Sequence, residues 1–70
     1  MATMMDTTTQ IGAAAGAVWR LLDERGPMST AKVVRELELP RDLVMQAIGW
    51  LAREDKIAVD DGRAKILSLR

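Results

Sequence analysis

Residues 29–69 read STAKVVRELELPRDLVMQAIGWLAREDKIAVDDGRAKILSL, and their punctuation divides them into a short helix, a tight turn, a second helix and a β-hairpin. Ser29 has the side chain of an N-cap, and Met28 with Val33 has the spacing of a hydrophobic staple across that cap. The pattern predicts a helix over 30–37, with Val33, Val34 and Leu37 inward and Lys32, Arg35 and Glu36 in water. Leu39 precedes a proline, which pushes it out of the helical region, whereas Pro40 suits a helix start, so Glu38-Leu39-Pro40 is the turn. Over 41–55 a further helix follows, in which Val44, Ala47, Ile48 and Leu51 recur as one buried stripe with Ala52 beside it. Its opposite face carries Arg41, Met45, Gln46, Gly49 and Arg53, with Trp50 toward one edge. Asp42 in the first turn and Lys56 past the last suit the helix dipole.

Downstream, Ile57-Ala-Val59 and the stretch from Ala64 to Leu69 flank Asp60-Asp61-Gly62-Arg63, and Asp-Gly between alternating apolar residues signals a hairpin. With Asp61-Gly62 as a two-residue turn, Asp60 opposes Arg63, Val59 opposes Ala64 and Ile57 opposes Ile66. Leu67 and Leu69 then point away from the core as an apolar patch, unless a bulge near Gly62 flips the register. Met28 is placed to add one short β-bridge.

Upstream, residues 1–6 read as a disordered start and residues 7–70 as one domain. Thr7 and Gln10 have capping-box spacing, and a helix runs from there to about Arg25, ended by Gly26-Pro27. Ile11, Ala14, Ala15, Val18, Trp19, Leu21 and Leu22 form its apolar stripe, with Trp19 in the core. Gly12 and Gly16 each cost about 1 kcal/mol in helix propensity relative to alanine. Either they let this helix sit tightly on its own domain, or they mark a surface where two copies meet.

The whole is mainly helical: three helices and a two- or three-stranded wing, the architecture of a winged helix-turn-helix. Seventy residues, 49% hydrophobic and 29% charged, allow one small domain and no second one. A chain of this size buries about 60% of its unfolded surface, so its stability margin is a few kcal/mol. Cysteine and histidine are absent, which removes disulfides, structural zinc, thiol nucleophiles and the commonest general base. Self-association is the remaining way to add stability. Ser29 and Ser68 serve better as a cap and a strand residue than as nucleophiles, and the acids lack metal-ligand spacing, so neither an enzyme nor a cofactor, metal or small-molecule substrate is expected. The chain has no apolar run near the roughly 18 residues of a membrane span, which points to a cytoplasmic protein.

The segments IGAAAGAVWRLLDERGPMS and ELPRDLVMQAIGWLAREDKI resemble a small winged helix-turn-helix family of bacterial and archaeal proteins of unknown function. The marks are Ile11-Gly12, Gly16, Trp19, Gly26-Pro27, the block Gly49-Trp50-Leu51-Ala52-Arg53-Glu54, and Lys56-Ile57 at the entry to the wing. The resemblance implies a homodimer, DNA binding inferred from fold, and no established ligand. Pro40 departs from it, standing where a capping serine is expected.

Two functions compete. A double-stranded DNA reader would place the 41–55 helix in a major groove, with Arg41, Met45, Gln46, Gly49 and Arg53 along the contact and Arg63 and Lys65 on the backbone. Against it stand ten basic and ten acidic residues with a formal net charge of zero, since nucleic-acid binders usually carry a basic patch. The alternative is a protein-interaction or dimerisation module using Gly12, Gly16, Trp50, Leu67 and Leu69. There Trp50 either packs within the domain or anchors a partner, and Met45 is either an ordinary surface methionine or an adaptable contact.

Overall fold

A computed structural model describes residues 6–70; the expected disordered start therefore lies, apart from Asp6, outside the described residues. Helix α1 spans Thr7–Arg25. Its cap is Asp6 rather than Thr7: the Thr9 N–H donates to Asp6 Oδ1 at 2.7 Å. A carboxylate both accepts this bond and favours the positive end of the helix dipole, which a hydroxyl does less well. The hydrogen bonds from the Thr9 backbone and then its side chain hold the Asp6 carboxyl below its ordinary pKa. At the other end Gly26, at φ 82°, donates its N–H to the Leu22 carbonyl at 2.8 Å, a conformation glycine takes without cost.

After the bridge β1 (Met28–Ser29), helix α2 (Thr30–Leu37) starts on the expected cap, Ser29 Oγ accepting from the Lys32 N–H at 3.1 Å. Met28 and Val33 are both buried, as a staple across that cap requires. The α2–α3 turn passes through Glu38 in the left-handed region, φ 55°, before Pro40 opens α3 (Arg41–Arg53) without a side-chain cap. Helix α3 stops two residues short of the expected end. Asp55, at φ 62°, sits at C′ of a Schellman turn, with its N–H on the Ala52 carbonyl at 3.1 Å and the Lys56 N–H on the Leu51 carbonyl at 2.9 Å.

Strands β2 (Ile57–Asp60) and β3 (Ile66–Leu69) complete a three-stranded antiparallel sheet of order β1-β3-β2. The register differs from the two-residue turn: Asp60 faces Ile66, Val59 faces Leu67 and Ile57 faces Leu69. Residues 61–65 form the loop, and β3 begins at Ile66 rather than Ala64. A type I′ turn needs positive φ at both central residues, and neither Asp61 nor Gly62 has it. Instead the Gly62 N–H bonds Asp60 Oδ1 at 3.1 Å, and the Lys65 carbonyl accepts from the Thr30 N–H at 2.9 Å. That bond continues the β1–β3 pairing one step beyond Ser29 and Ile66. Being odd, the shift moves Leu67 and Leu69 onto the face of Ile57 and Val59. Leu67, expected on an outer patch, is fully buried at the centre of the sheet, and Leu69 packs partly against the core.

The core lies where α1 crosses α3 and the sheet closes beneath them: Val18, Leu22, Val33, Val44, Ala47 and Leu67 are each at most 2% exposed. Helix α3 buries Val44, Ala47, Ile48 and Leu51 as expected, whereas Ala52 is exposed. Arg25 and Glu36, 2.9 Å apart, join the end of α1 to α2 at the surface. No helix of the described residues is long and apolar enough to cross a membrane.

Candidate nucleic-acid interface

The first turn of α3 meets the start of α2 and the wing loop at one place. Ser29, Thr30, Ala31, Arg41, Met45, Ala64 and Lys65 line an open cleft of about 320 Å³. Three of the expected contact residues, Arg41, Met45 and Lys65, thus come together although Lys65 is far along the chain. The agent is the Thr30–Lys65 pairing, in which Thr30 Oγ1 also reaches the Lys65 carbonyl at 3.4 Å. Ala64 and the start of α2 also line the cleft, which sequence reasoning missed because the loop register sets it.

Gln46, Gly49 and Arg53 continue along α3 and are exposed, while Met45 is half-buried. Arg41 and Arg53 are separated by about 18 Å along the axis at 1.5 Å per residue, so Arg53 lies outside the cleft, at the far end of the same helix. Arg63 is exposed on the loop tip but does not line the cleft. Among the described residues none of Arg41, Arg53, Arg63 and Lys65 is in an ion pair. At 3.6 residues per turn Asp42 falls on the face of Met45, Gly49 and Gln46, so an exposed carboxylate interrupts the cations.

A second concavity, a groove of about 720 Å³ between α1 and the C-terminal half of α3, brings together Gly12, Gly16 and Trp50 of the residues expected at an interaction surface, whereas Leu69, packed against the core, does not line it. Gly12, Ala15, Gly16, Trp19 and Arg20 line it from α1 and Trp50 from α3. Trp50 is 43% exposed, which excludes full intramolecular burial, and Trp19, expected in the core, is 38% exposed beside it. Nor is Gly16 a point of tight packing within the domain: a Cβ there would come no nearer than 3.8 Å to anything, and that neighbour is the Arg20 guanidinium. Leu67 has no part in this surface, since it is core. Asp55 and Arg70, 2.9 Å apart, stand at the rim with Lys56. No group of three or more acidic side chains gathers closely enough to hold a metal ion among the described residues.

Comparison with known proteins places these features in a family. An uncharacterized protein of the archaeon Methanocaldococcus jannaschii, MJ1608, is 37% identical over 70 residues, covering 96% of this chain and all of that one. No solved structure matches. The family described as "Winged helix-turn-helix domain (DUF2582)" matches residues 4–69, and with three helices and a three-stranded antiparallel wing in the same order, the chain belongs to that family.

Proposed function

We propose that the domain binds double-stranded DNA, with α3 against the major groove and the wing loop on the adjoining backbone. The observation that carries the reading is the convergence of Arg41, at the start of α3, and Lys65, on the loop, at one exposed cleft, both without an ion-pair partner among the described residues. Cations free of intramolecular pairing are the ones available to phosphate, and the winged-helix fold supports the arrangement. Gln46 has the side chain for a bidentate bond to adenine, and Asp42 on the same face, which repels phosphate, has the side chain to accept from cytosine N4.

Zero net charge sets the scale. Arg41, Arg53, Arg63 and Lys65 offer four phosphate contacts per domain, for which the logarithm of the association constant falls against the logarithm of salt concentration with a slope of about −3.6. Such binding is weak unless two domains act together.

The test is fluorescence anisotropy of a labelled duplex titrated with the full chain at several salt concentrations. Arg41→Ala and Lys65→Ala each lower affinity for all sequences and flatten the slope by about 1. Equal slopes in the two variants and the parent chain refute the assignment. Gln46→Ala leaves the slope alone and relaxes preference at one base pair, at a cost of about 1–3 kcal/mol.

A further inference from the structure

We infer that the groove between α1 and the C-terminal half of α3 binds a nucleoside monophosphate, its base against Trp19 and Trp50 and its phosphate on Arg20 and Lys56. Trp19 and Trp50 are the only aromatic residues of the chain. Aromatic side chains are the largest apolar payload a small core can take, each burying about 150–250 Å². Here the hydrophobic core is built from aliphatic side chains and methionine. Both indoles stand outside it, 38% and 43% exposed, one on each helix, and both line the same concavity. Packing of the domain does not account for that pairing.

The charge of the ligand follows from what is left unpaired. The charged residues of the lining are Arg20, Asp55, Lys56 and Arg70. Arg70 and Asp55, 2.9 Å apart, neutralise one another, whereas Arg20 and Lys56 are in no ion pair among the described residues. The Arg20 guanidinium lies back along α1 within the groove, its Nη1 3.8 Å from where a Cβ on Gly16 would stand. Two available cations match a phosphate monoester, which carries about 1.5 to 2 negative charges at pH 7 and three acceptor oxygens. A carboxylate would leave one of them unused.

The size agrees. A volume of about 720 Å³ falls inside the range of roughly 300–1,000 Å³ usual for small-molecule sites. Buried Ala15 and Leu51 add apolar lining to the two rings, the surroundings a flat base takes, and stacking on an indole accepts any base because each has a π-face. A single nucleic-acid strand needs a track of successive rings and cations, and the chain has no third ring to extend one.

The experiment is isothermal titration calorimetry of the full chain with adenosine 5′-monophosphate at low salt, with adenosine and inorganic phosphate titrated separately. The nucleotide binds, one molecule per chain, and adenosine and phosphate each bind about tenfold more weakly or worse, since each offers half of the contacts. Replacing Arg20→Gln and Lys56→Gln together, at two exposed positions, keeps the circular dichroism and weakens the nucleotide about tenfold or more. Trp50→Leu weakens it about fivefold or more. In Trp19→Phe, where Trp50 is the single tryptophan, emission falls as the nucleotide is added. No binding of the nucleotide, phosphate binding as tightly as the nucleotide, a double variant that binds like the parent chain, or emission that ignores the nucleotide overturns the inference. So does a short single-stranded oligonucleotide that competes for the groove more strongly than the mononucleotide. Arg41→Ala and Lys65→Ala leave nucleotide affinity unchanged, which separates this outcome from that of the DNA proposal.

Discussion

Truncating two neighbouring residues of β3 distinguishes the observed hairpin register from the two-residue-turn alternative. Leu67 is fully buried between Met28 on β1 and Val59 on β2, so Leu67→Ala removes a core side chain that has no room to be replaced by water. Such a change costs about 2–5 kcal/mol. The total stability of 70 residues is roughly 3–10 kcal/mol at the usual 0.05–0.15 kcal/mol per residue. The variant therefore loses much of its margin. At 4–8 °C per kcal/mol for a small domain, a loss near 3 kcal/mol lowers Tm by about 12–24 °C. Ile66 lies on the opposite face, paired with Asp60 and only half-buried, and Ile66→Ala costs about 1 kcal/mol or less, as partly exposed truncations do. Thermal and urea unfolding followed by circular dichroism at one protein concentration measure both. In the two-residue-turn register the order inverts, because Ile66 would face the core with Ile57. A variant pair in which Ile66→Ala is the more damaging refutes the register and the cleft built on it.

Two further outcomes follow from the caps. Asp6 has a folded-state pKa held below its ordinary value by Thr9, so its contribution to stability is present above the unfolded-state pKa and fades as pH falls through the folded one; Asp6→Asn flattens the acid limb of the Tm–pH curve, and an unchanged limb contradicts the cap. Asp55 and Glu38 both hold a positive φ outside glycine, so Glu38→Gly raises stability by up to about 1 kcal/mol, whereas Asp55→Gly gains less because it also loses the exposed contact with Arg70; unfolding in urea shows whether the order holds.

How much of this was legible in the sequence differs from element to element. Helix α2 was readable to the residue because its start and stop are written locally, by Ser29, the Met28–Val33 staple and Pro40. The buried stripe of α3 was readable for the same reason, its period being intact from Val44 to Leu51. The wing register was not, because β3 also pairs with β1, a pairing that Thr30 continues to Lys65, and local Asp-Gly chemistry says nothing of that third strand. That error carried Leu67 to the wrong face. Trp19 failed differently. It stands one position, about 100° of helix rotation, past Val18 at the middle of the buried stripe. Periodicity places such a residue at the margin, and only the position of α3 decides that the ring borders a groove. The candidate cleft was partly legible: Arg41 and Met45 share a helix, but their meeting with Lys65 depends on the loop.

The most direct measurement of the central claim is the salt dependence of duplex binding by the parent chain. Four available cations per domain predict a log–log slope of about −3.6 for one domain and roughly twice that if two domains engage the same duplex. Binding that is absent at low salt, or that keeps its affinity as salt is raised, would contradict the assignment of α3 and the wing loop as a DNA-reading surface.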